Sequence, residues 1–173
     1  MIKLIETNPK YVELWHAWRA EPNTLKYNPI AVTSLEKLKE RMALMSSDLS
    51  NLKGAEEFQF FIQCDEKLVG TVSLKNISHM MMYGEIGYDV GQEFQNKGIG
   101  TQAVSQFVAT IFSKTAIRRL FAYVAEDNLP SRKLLEKVGF QQEGICREHF
   151  IINGKPTNEI LYGMLRSDWE RKI

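Results

Sequence analysis

The sequence predicts an α/β (α+β) fold built on a mixed, mostly antiparallel central sheet of about seven strands. Three observations indicate this class. Helical periodicity comes first, alternating periodicity begins at Phe58, and one strong helix joins two apolar strands between Tyr83 and Ala125. A strand–helix–strand unit produces a parallel pair, whereas the hairpins around it produce antiparallel pairs. The sheet is therefore expected to be mixed.

The 173 residues have the length of one domain, which we expect to span positions 1–173. The 22 basic residues almost balance the 21 acidic ones, which argues against a general nucleic-acid or membrane-surface binder. No apolar run approaches the roughly 18 residues of a membrane span, and the start lacks a secretory apolar core. We therefore expect a cytoplasmic protein with neither a membrane nor a nucleic acid as its partner.

The two cysteines, Cys64 and Cys146, lie far apart and form no CxxC pair. No cluster of His, Cys, Asp and Glu has the spacing of metal ligands. The sequence thus predicts reduced thiols and no metal site.

The N-terminal third is predicted to contain a strand at Ile2–Glu6 and two helices. The first helix has apolar positions at i, i+3, i+4 and i+7, namely Tyr11, Leu14, Trp15 and Trp18. Glu21–Asn23 ends it. Thr33 and Glu36 have the spacing of a capping box at the start of the second helix. Its apolar side chains are Leu35, Leu38, Met42 and Met45.

Alternating apolar positions in 58–64 and 68–74, separated by the turn Asp65–Lys67, predict an antiparallel hairpin. A third strand is expected at Tyr83–Val90, and the clearest helix of the chain at Gly98–Lys114. The buried strand Arg118–Ala125 follows, which completes the parallel unit.

The C-terminal part is predicted to form a short helix and a long hairpin. Pro130 lies in the first turn of the helix, and Gly139 occupies the position of a C-cap glycine. Asn153 and Gly154 are a strong signal for the turn between the last two strands.

Residues 95–101, with the sequence QNKGIGT, lie between a strand and the start of the best helix. Gly98 and Gly100 allow close approach of the backbone to a ligand and positive φ angles. The N–H groups of the first helical turn and the helix dipole favour an anion there, and Lys97 adds a cation. The segment predicts a bound phosphate or pyrophosphate.

Two familiar nucleotide loops fit this segment poorly. A P-loop requires Lys-Ser/Thr after its last glycine, whereas Thr101 and Gln102 follow Gly100. The dinucleotide fingerprint G-x-G-x-x-A is matched formally by Gly98–Ala103, but its turn follows the strand tightly. Here 91–97 separate the strand from the glycines, and the glycines come late in the chain.

The motif Gln95-x-x-Gly98-x-Gly100, preceded by Glu85–Tyr88, resembles the acetyl-CoA loop of the GNAT (GCN5-related) N-acetyltransferase family. Asn128-Leu129-Pro130-Ser131, followed by Glu136–Phe140, resembles the second signature of that family. The resemblance covers roughly 58–165 and is greatest to the RimJ/RimL-like branch, whose members acetylate N-terminal amines of ribosomal proteins.

The resemblance implies a GNAT fold with helices on both faces of the sheet, and acetyl-CoA as cosubstrate without a metal. The implied acceptor is a primary amine, preferably a protein N-terminus. A small amine, such as a polyamine or an aminoglycoside, is the alternative within the class, and a non-catalytic acyl-CoA-binding module is the competing class. The exposed strand at the C-terminal end allows a homodimer.

The resemblance also implies the cofactor-binding residues. They comprise the strand end before the loop, the loop itself and the start of the short helix. They are Tyr88, Asp89, Val90, Gln95, Asn96, Lys97, Gly98, Ile99, Gly100, Thr101, Asn128, Ser131 and Lys133. A backbone N–H within Tyr88–Val90 is expected to hold the thioester oxygen. Arg132 and Lys133 are candidates for contacts with the 3′-phosphate.

The implied catalytic acid is Ser131, whose alternative role is only to cap the helix or bond CoA. Many other family members carry a tyrosine four residues later, where this chain has Leu135, so a phenol acid at that position is excluded. Glu85 is the first candidate for the base and Glu148 the second, although the nearest match to the glutamate of a RimL-like enzyme is Phe150. An N-terminal amine, with a pKa near 7.7–8.0, has the further option of losing its proton through water. Tyr27 and Asn28 are expected to face the acceptor.

Overall fold

The computed structural model describes residues 1–28 and 33–171. Its seven strands form one sheet in the order β1-β2-β3-β4-β5-β7-β6. Their bounds are β1 Ile2–Glu6, β2 Phe58–Cys64, β3 Lys67–Ser78, β4 Tyr83–Val90, β5 Arg119–Ala125, β6 Gln141–Ile152 and β7 Lys155–Leu165. Of these pairings, that between β4 and β5 is parallel and the others are antiparallel, which confirms the mixed sheet.

The α-helices are α1 Val12–Arg19, α2 Pro22–Tyr27, α3 Leu35–Ala43, α4 Ile99–Lys114, α5 Leu129–Val138 and α6 Arg166–Glu170. Helix α2 was not predicted. Pro22 takes its first position, where a proline loses no helical hydrogen bond, so the segment that ends α1 also begins α2. Among the described residues, no helix is long and apolar enough to span a membrane.

Two details of the predicted N-terminal helices are wrong. Leu14 is 38% exposed and Val12 is buried, because α1 begins only at Val12, after a 3₁₀ turn capped by Asn8. Ser34, rather than Thr33, caps α3, and its Oγ accepts a hydrogen bond from Lys37 N at 3.3 Å. That shift places Glu36 one position too early for a capping box.

Helices cover both faces of the sheet, and β2 shows why. Phe58 and Ile62 belong to the larger core, which α4 packs against. Phe61, on the other face of the same strand, packs with Trp15 and Trp18 of α1 in a second core. A strand that is buried on both faces loses a simple alternation of apolar and polar residues.

The strands β4 and β5 pair only from Tyr83 to Glu85, opposite Arg119–Phe121. Beyond Glu85 they have no ladder between them, although β4 continues beside β3 as far as Val90. We call the opening between 86–90 and 122–125 the fork. The later halves of both strands present backbone groups to it.

At the end of β4, the neighbouring strand β3 approaches closely. A Cβ atom on Gly70 would lie 2.1 Å from the carbonyl oxygen of Asp89 and 3.0 Å from Val90 Cα. No real side chain tolerates the first of these contacts, so the pairing of β3 with β4 at this point depends on a glycine.

The predicted elements of the second half are confirmed within a few residues. Gly139 ends α5 with a φ of 112°, as its predicted C-cap position requires. Asn153 and Gly154 both have positive φ, 50° and 76°, between β6 and β7, which confirms the predicted hairpin turn.

Candidate active site

A pocket of about 620 Å³ opens on the β4 side of the fork, where it is lined by the end of β4, the start of α4, α5 and the short helix α2. All the predicted cofactor-binding residues except Lys97 line it. They are Tyr88, Asp89, Val90, Gln95, Asn96, Gly98, Ile99, Gly100, Thr101, Asn128, Ser131 and Lys133. Residues from three separate stretches of sequence therefore meet in one cavity.

The start of α4 presents backbone donors to this pocket. The first N–H of the helix that finds an acceptor in the described chain is that of Gln102, which donates to Gly98 O at 3.1 Å. The preceding N–H groups are open to an anion. Gly98 has a φ of +75°, as predicted, because the chain must turn sharply into the helix.

Gly100 lines the pocket but lacks the predicted positive φ, because it lies within α4. A Cβ atom there would lie 2.9 Å from Leu134 Cδ1 and 3.5 Å from Val90 Cγ2. The glycine thus lets α5 and the end of β4 pack closely on the start of α4.

The side chain of Gln95 holds the loop against β4, because its Nε2 donates to Val90 O at 2.8 Å. Lys97 points elsewhere: its Nζ donates to Glu93 O at 2.8 Å and lies 5.8 Å from the ring centre of Phe94. The predicted cation of the loop is therefore not in the pocket.

Asn128 and Ser131 occupy the start of α5. Asn128 Oδ1 accepts a hydrogen bond from Ser131 N at 3.3 Å, so it caps the helix. Ser131 Oγ lies 2.6 Å from the phenol oxygen of Tyr88, which reaches across from β4. Burial raises the pKa of Tyr88 far above its usual value, so this phenol stays protonated.

The phenol of Tyr88 qualifies the prediction about the catalytic acid. Leu135 is completely buried in the core, so position 135 supplies no polar group to the pocket. A phenol nevertheless contacts Ser131, and it comes from the adjacent strand. From the sequence, Tyr88 was predicted to bind the cofactor and to belong to the backbone stretch at the thioester oxygen, with no role for its phenol.

Asp89 points to the opposite side of β4 from Tyr88. Its Oδ1 lies 3.5 Å from Thr24 Oγ1 of α2, and the side chain lines the pocket. Burial, and then the charge of Glu21, raise the pKa of Asp89 to about 6, against the lowering effect of Arg19. The carboxyl group is therefore mostly ionised at pH 7 but is a stronger base than an ordinary aspartate.

Neither of the predicted bases lines the pocket. Glu85, the last paired residue before the fork, accepts a hydrogen bond from Asn76 Nδ2 at 2.6 Å and lies 3.3 Å from Lys75 Nζ. Glu148 is exposed on β6 at a left-handed φ of 49°, where the pairing with β7 is irregular. Both residues stay untested as catalytic groups.

Arg132, predicted to contact the 3′-phosphate, does not line the pocket. Its guanidinium bonds Tyr162 Oη at 3.3 Å and Glu126 O at 3.1 Å. Lys133, which was predicted with it, does line the pocket. In the described parts of the chain, no three His, Cys, Asp or Glu side chains form a group that would hold a metal ion.

Several lining residues were missed by the sequence analysis. Helix α2 contributes Asn23, Thr24 and Lys26 beside the predicted Tyr27 and Asn28. This helix is too short to show a periodic pattern, so no signal marked them.

Helix α5 contributes a second set, Pro130, Leu134 and Lys137, beside Lys133. These positions recur at i, i+3, i+4 and i+7 and so share one helix face. That spacing was readable from the sequence and would have found them.

Comparison with known proteins identifies the family of this chain. A model of the acetyltransferase (GNAT) domain matches residues 2–141. The chain is 28% identical over 151 residues to the uncharacterized N-acetyltransferase p20 of Bacillus licheniformis, covering 87% of this chain and 84% of that protein. It is 29% identical over 116 residues to the spermidine N(1)-acetyltransferase of Escherichia coli K12, covering 66% and 62%.

Solved structures share the whole fold. The ribosomal-protein-S5-alanine acetyltransferase of Vibrio fischeri matches with a TM-score of 0.80 and 26% identity, covering 97% of this chain and 93% of that one. The spermidine N-acetyltransferase of Vibrio cholerae, solved with CoA and spermine, matches with a TM-score of 0.86 and 21% identity, covering 98% of each chain. The predicted GNAT fold is confirmed, and the family match covers most of the chain: this protein belongs to the GNAT family of acetyltransferases.

Proposed function

We propose that this acetyltransferase transfers the acetyl group of acetyl-CoA to a primary amine, preferably the N-terminal α-amine of a protein. The observation that supports this most is the composition of the pocket. It contains an open helix N-terminus, the end of β4 beyond its pairing with β5 and a serine hydroxyl bonded to a phenol. These are an anion site, a site for a carbonyl oxygen and a proton donor.

The cosubstrate fits the wall formed by α4 and α5. The N–H groups before Gln102 are suited to the pyrophosphate, and Gly98 leaves the approach to them open. Lys133 and Lys137 of α5 add positive charge to the same wall. We assign this wall to CoA.

In the proposed reaction, the amine nitrogen attacks the thioester carbonyl carbon, the C–S bond breaks, and an amide and a thiol form. Negative charge develops on the carbonyl oxygen, and backbone N–H groups within Tyr88–Val90 are positioned at the fork to stabilise it. Ser131 Oγ is the proposed proton donor to the departing sulfur. The phenol of Tyr88 then passes a proton to Ser131 through their 2.6 Å hydrogen bond and regains one from solvent, since its raised pKa disfavours the phenolate.

The charge of the pocket favours an acceptor with one amine over a polyamine. Asp89 is the single carboxylate among the described lining residues and Lys26 of α2 adds a cation on the same side, whereas Lys133 and Lys137 belong to the wall assigned to CoA. A polyamine carries several positive charges along its length and would meet this arrangement with repulsion. A peptide N-terminus needs only one anionic partner.

Thiol release from acetyl-CoA, measured against a panel of amines, tests the proposal. The panel holds peptides that begin with Ala, Ser or Met, together with spermidine, free lysine and an aminoglycoside. We expect kcat/KM for at least one peptide to exceed that for spermidine by tenfold or more.

The matched control is the same peptide with an acetylated N-terminus, which removes the α-amine and nothing else. This peptide should show no turnover. Preferred turnover of spermidine, or equal turnover of the blocked and free peptides, would contradict the proposed acceptor.

A further inference from the structure

The carboxylate of Asp89 lies where the CoA wall of the pocket meets the wall formed by α2. It follows Tyr88 directly in β4, and the backbone of these two residues is part of the proposed site for the thioester oxygen. The pocket is lined by Asp89 together with Thr24 of α2 and Gln95 of the loop. Asp89 therefore belongs to the same short backbone stretch as the proposed site for the thioester oxygen.

The neighbours of Asp89 leave it without an ion-pair partner. Arg19 of α1 acts on it at a distance, Glu21 in the turn before α2 repels it, and no described residue forms a salt bridge with it. Thr24 is 3.5 Å away, at the limit of a hydrogen bond, and Thr71 faces it across the ladder from β3. The backbone N–H of Val90 also hydrogen-bonds the carboxylate and lowers its pKa. Carboxylates that are partly withdrawn from water are ordinarily paired with a cation, and this one is not, so it is available to the nitrogen of an acceptor amine.

We infer that Asp89 binds the acceptor amine and removes its proton during acetyl transfer, a role that rests on the proposed function. The nitrogen forms a bond to the carbonyl carbon while one N–H bond breaks. The proton passes to a carboxylate oxygen of Asp89, and the electron pair of the broken C–S bond stays on sulfur, which receives its proton from the side of Ser131. The amine reacts as the neutral base, so a single N–H bond is lost. Asp89 ends the step protonated and the Ser131–Tyr88 pair ends it one proton short, and proton exchange with solvent water restores both.

The environment of Asp89 suits a proton acceptor at neutral pH. With a pKa of about 6, the carboxylate is ionised at pH 7 and holds a proton more firmly than an exposed aspartate does. Glu85 is placed differently, because it is bound by Asn76 and Lys75 and does not line the pocket.

The test compares wild type with Asp89→Asn, using whichever amine the wild type acetylates best. We expect kcat to fall at least about 100-fold, within the usual range for loss of a general base. The acid limb of the wild-type kcat profile, near pH 6, should disappear in the variant. The Kd for CoA should change less than threefold, since the carboxylate faces α2 and not the wall of α4 and α5 that is assigned to CoA.

Two controls separate catalysis from structure. Asp65→Asn makes the same chemical change at the exposed turn between β2 and β3, outside the pocket, and should leave kcat unchanged. Asp89→Ala assayed with added formate should regain activity at least tenfold over the same variant without formate, because formate supplies the missing carboxylate. A role limited to holding α2 would show no rescue.

Different outcomes overturn different statements. If Asp89→Asn keeps kcat within threefold, or if Glu85→Gln removes the acid limb instead, the assignment of Asp89 is wrong while the acetyltransferase proposal stands. If the wild type acetylates no amine on the panel, the proposed function fails and the role of Asp89 fails with it.

Discussion

The two faces of β4 carry adjacent residues whose pKa values burial raises, yet the consequences are opposite. Tyr88 faces α5 and bonds Ser131, and its raised pKa keeps the phenol protonated. Asp89 faces α2, and its raised pKa of about 6 still leaves it ionised at pH 7. One strand therefore presents a proton donor on one side and a proton acceptor on the other. The same physical cause gives two roles because neutral pH lies below one pKa and above the other.

The largest expected effect comes from removing a group on each face together. Asp89→Asn combined with Ser131→Ala should lower kcat by about the product of the two single effects, roughly 10³-fold or more. The two side chains share no partner and act on different protons, so their effects should add in free energy. A double variant no slower than Asp89→Asn alone would show that the two faces act as one unit. Single-turnover rates at saturating acetyl-CoA would measure this.

Within the α5 face, by contrast, we expect strong coupling. Tyr88→Phe and Ser131→Ala should each lower kcat about 10- to 100-fold, and the double variant should be no slower than Ser131→Ala. The reason is the 2.6 Å hydrogen bond that makes Tyr88 act through Ser131. Isothermal titration with CoA serves as the control and should give similar affinities for all three variants. Additive losses would indicate that Tyr88 acts independently.

On the α2 side of β4, the raised pKa of Asp89 predicts how stability depends on pH. Because folding raises the pKa of Asp89, ionising this group destabilises the folded state, fully above pH 6 and hardly at all near pH 4. Asp89→Asn should therefore raise Tm at pH 7.5, by roughly 2–4 °C for about 1 kcal/mol in a chain of this size. The gain should vanish at pH 4. A lower Tm at pH 7.5 would instead identify Asp89 as a structural residue.

The smallest expected effect concerns the cations near CoA. Lys137→Ala should weaken CoA binding roughly three- to tenfold at low salt and less at high salt, because it lines the pocket. Lys97→Ala should weaken it less than twofold, since the amine of Lys97 bonds Glu93 O. Titration of each variant with CoA at two ionic strengths would compare them. Equal losses of CoA affinity would indicate that Lys97 also contacts CoA.

The CoA wall was largely predictable from sequence, whereas the acceptor wall, formed by α2 beside the end of β4, was not. The first depends on local signals, such as Gly98 before a long helix and Asn128 three residues before Ser131. Local signals of this kind fix backbone geometry within one short segment. The acceptor wall brings Thr24 beside Asp89, which are 65 residues apart, and only packing of α2 on the end of β4 creates that contact.

The same distinction explains the errors of side-chain assignment. Lys97 was predicted in the pocket because it lies within the loop, but its direction depends on the 3₁₀ turn at Gln92–Phe94. Tyr88 was predicted as backbone, since nothing in a single strand shows that its phenol reaches a helix that begins at Leu129. Glu85 was favoured by its position on β4, and the ion pair with Lys75 becomes visible only when β3 is placed beside it.

Gly70 has a consequence for anyone who wishes to redesign this protein. It is absent from the pocket, yet the missing side chain is what allows β3 to approach the carbonyl oxygen of Asp89. Any larger residue at position 70 must displace the end of β4, and with it both the donor and the acceptor of protons. A library that varies only the residues touching a substrate would leave this position out. The set of positions that can retune the chemistry is therefore larger than the set that meets the ligand.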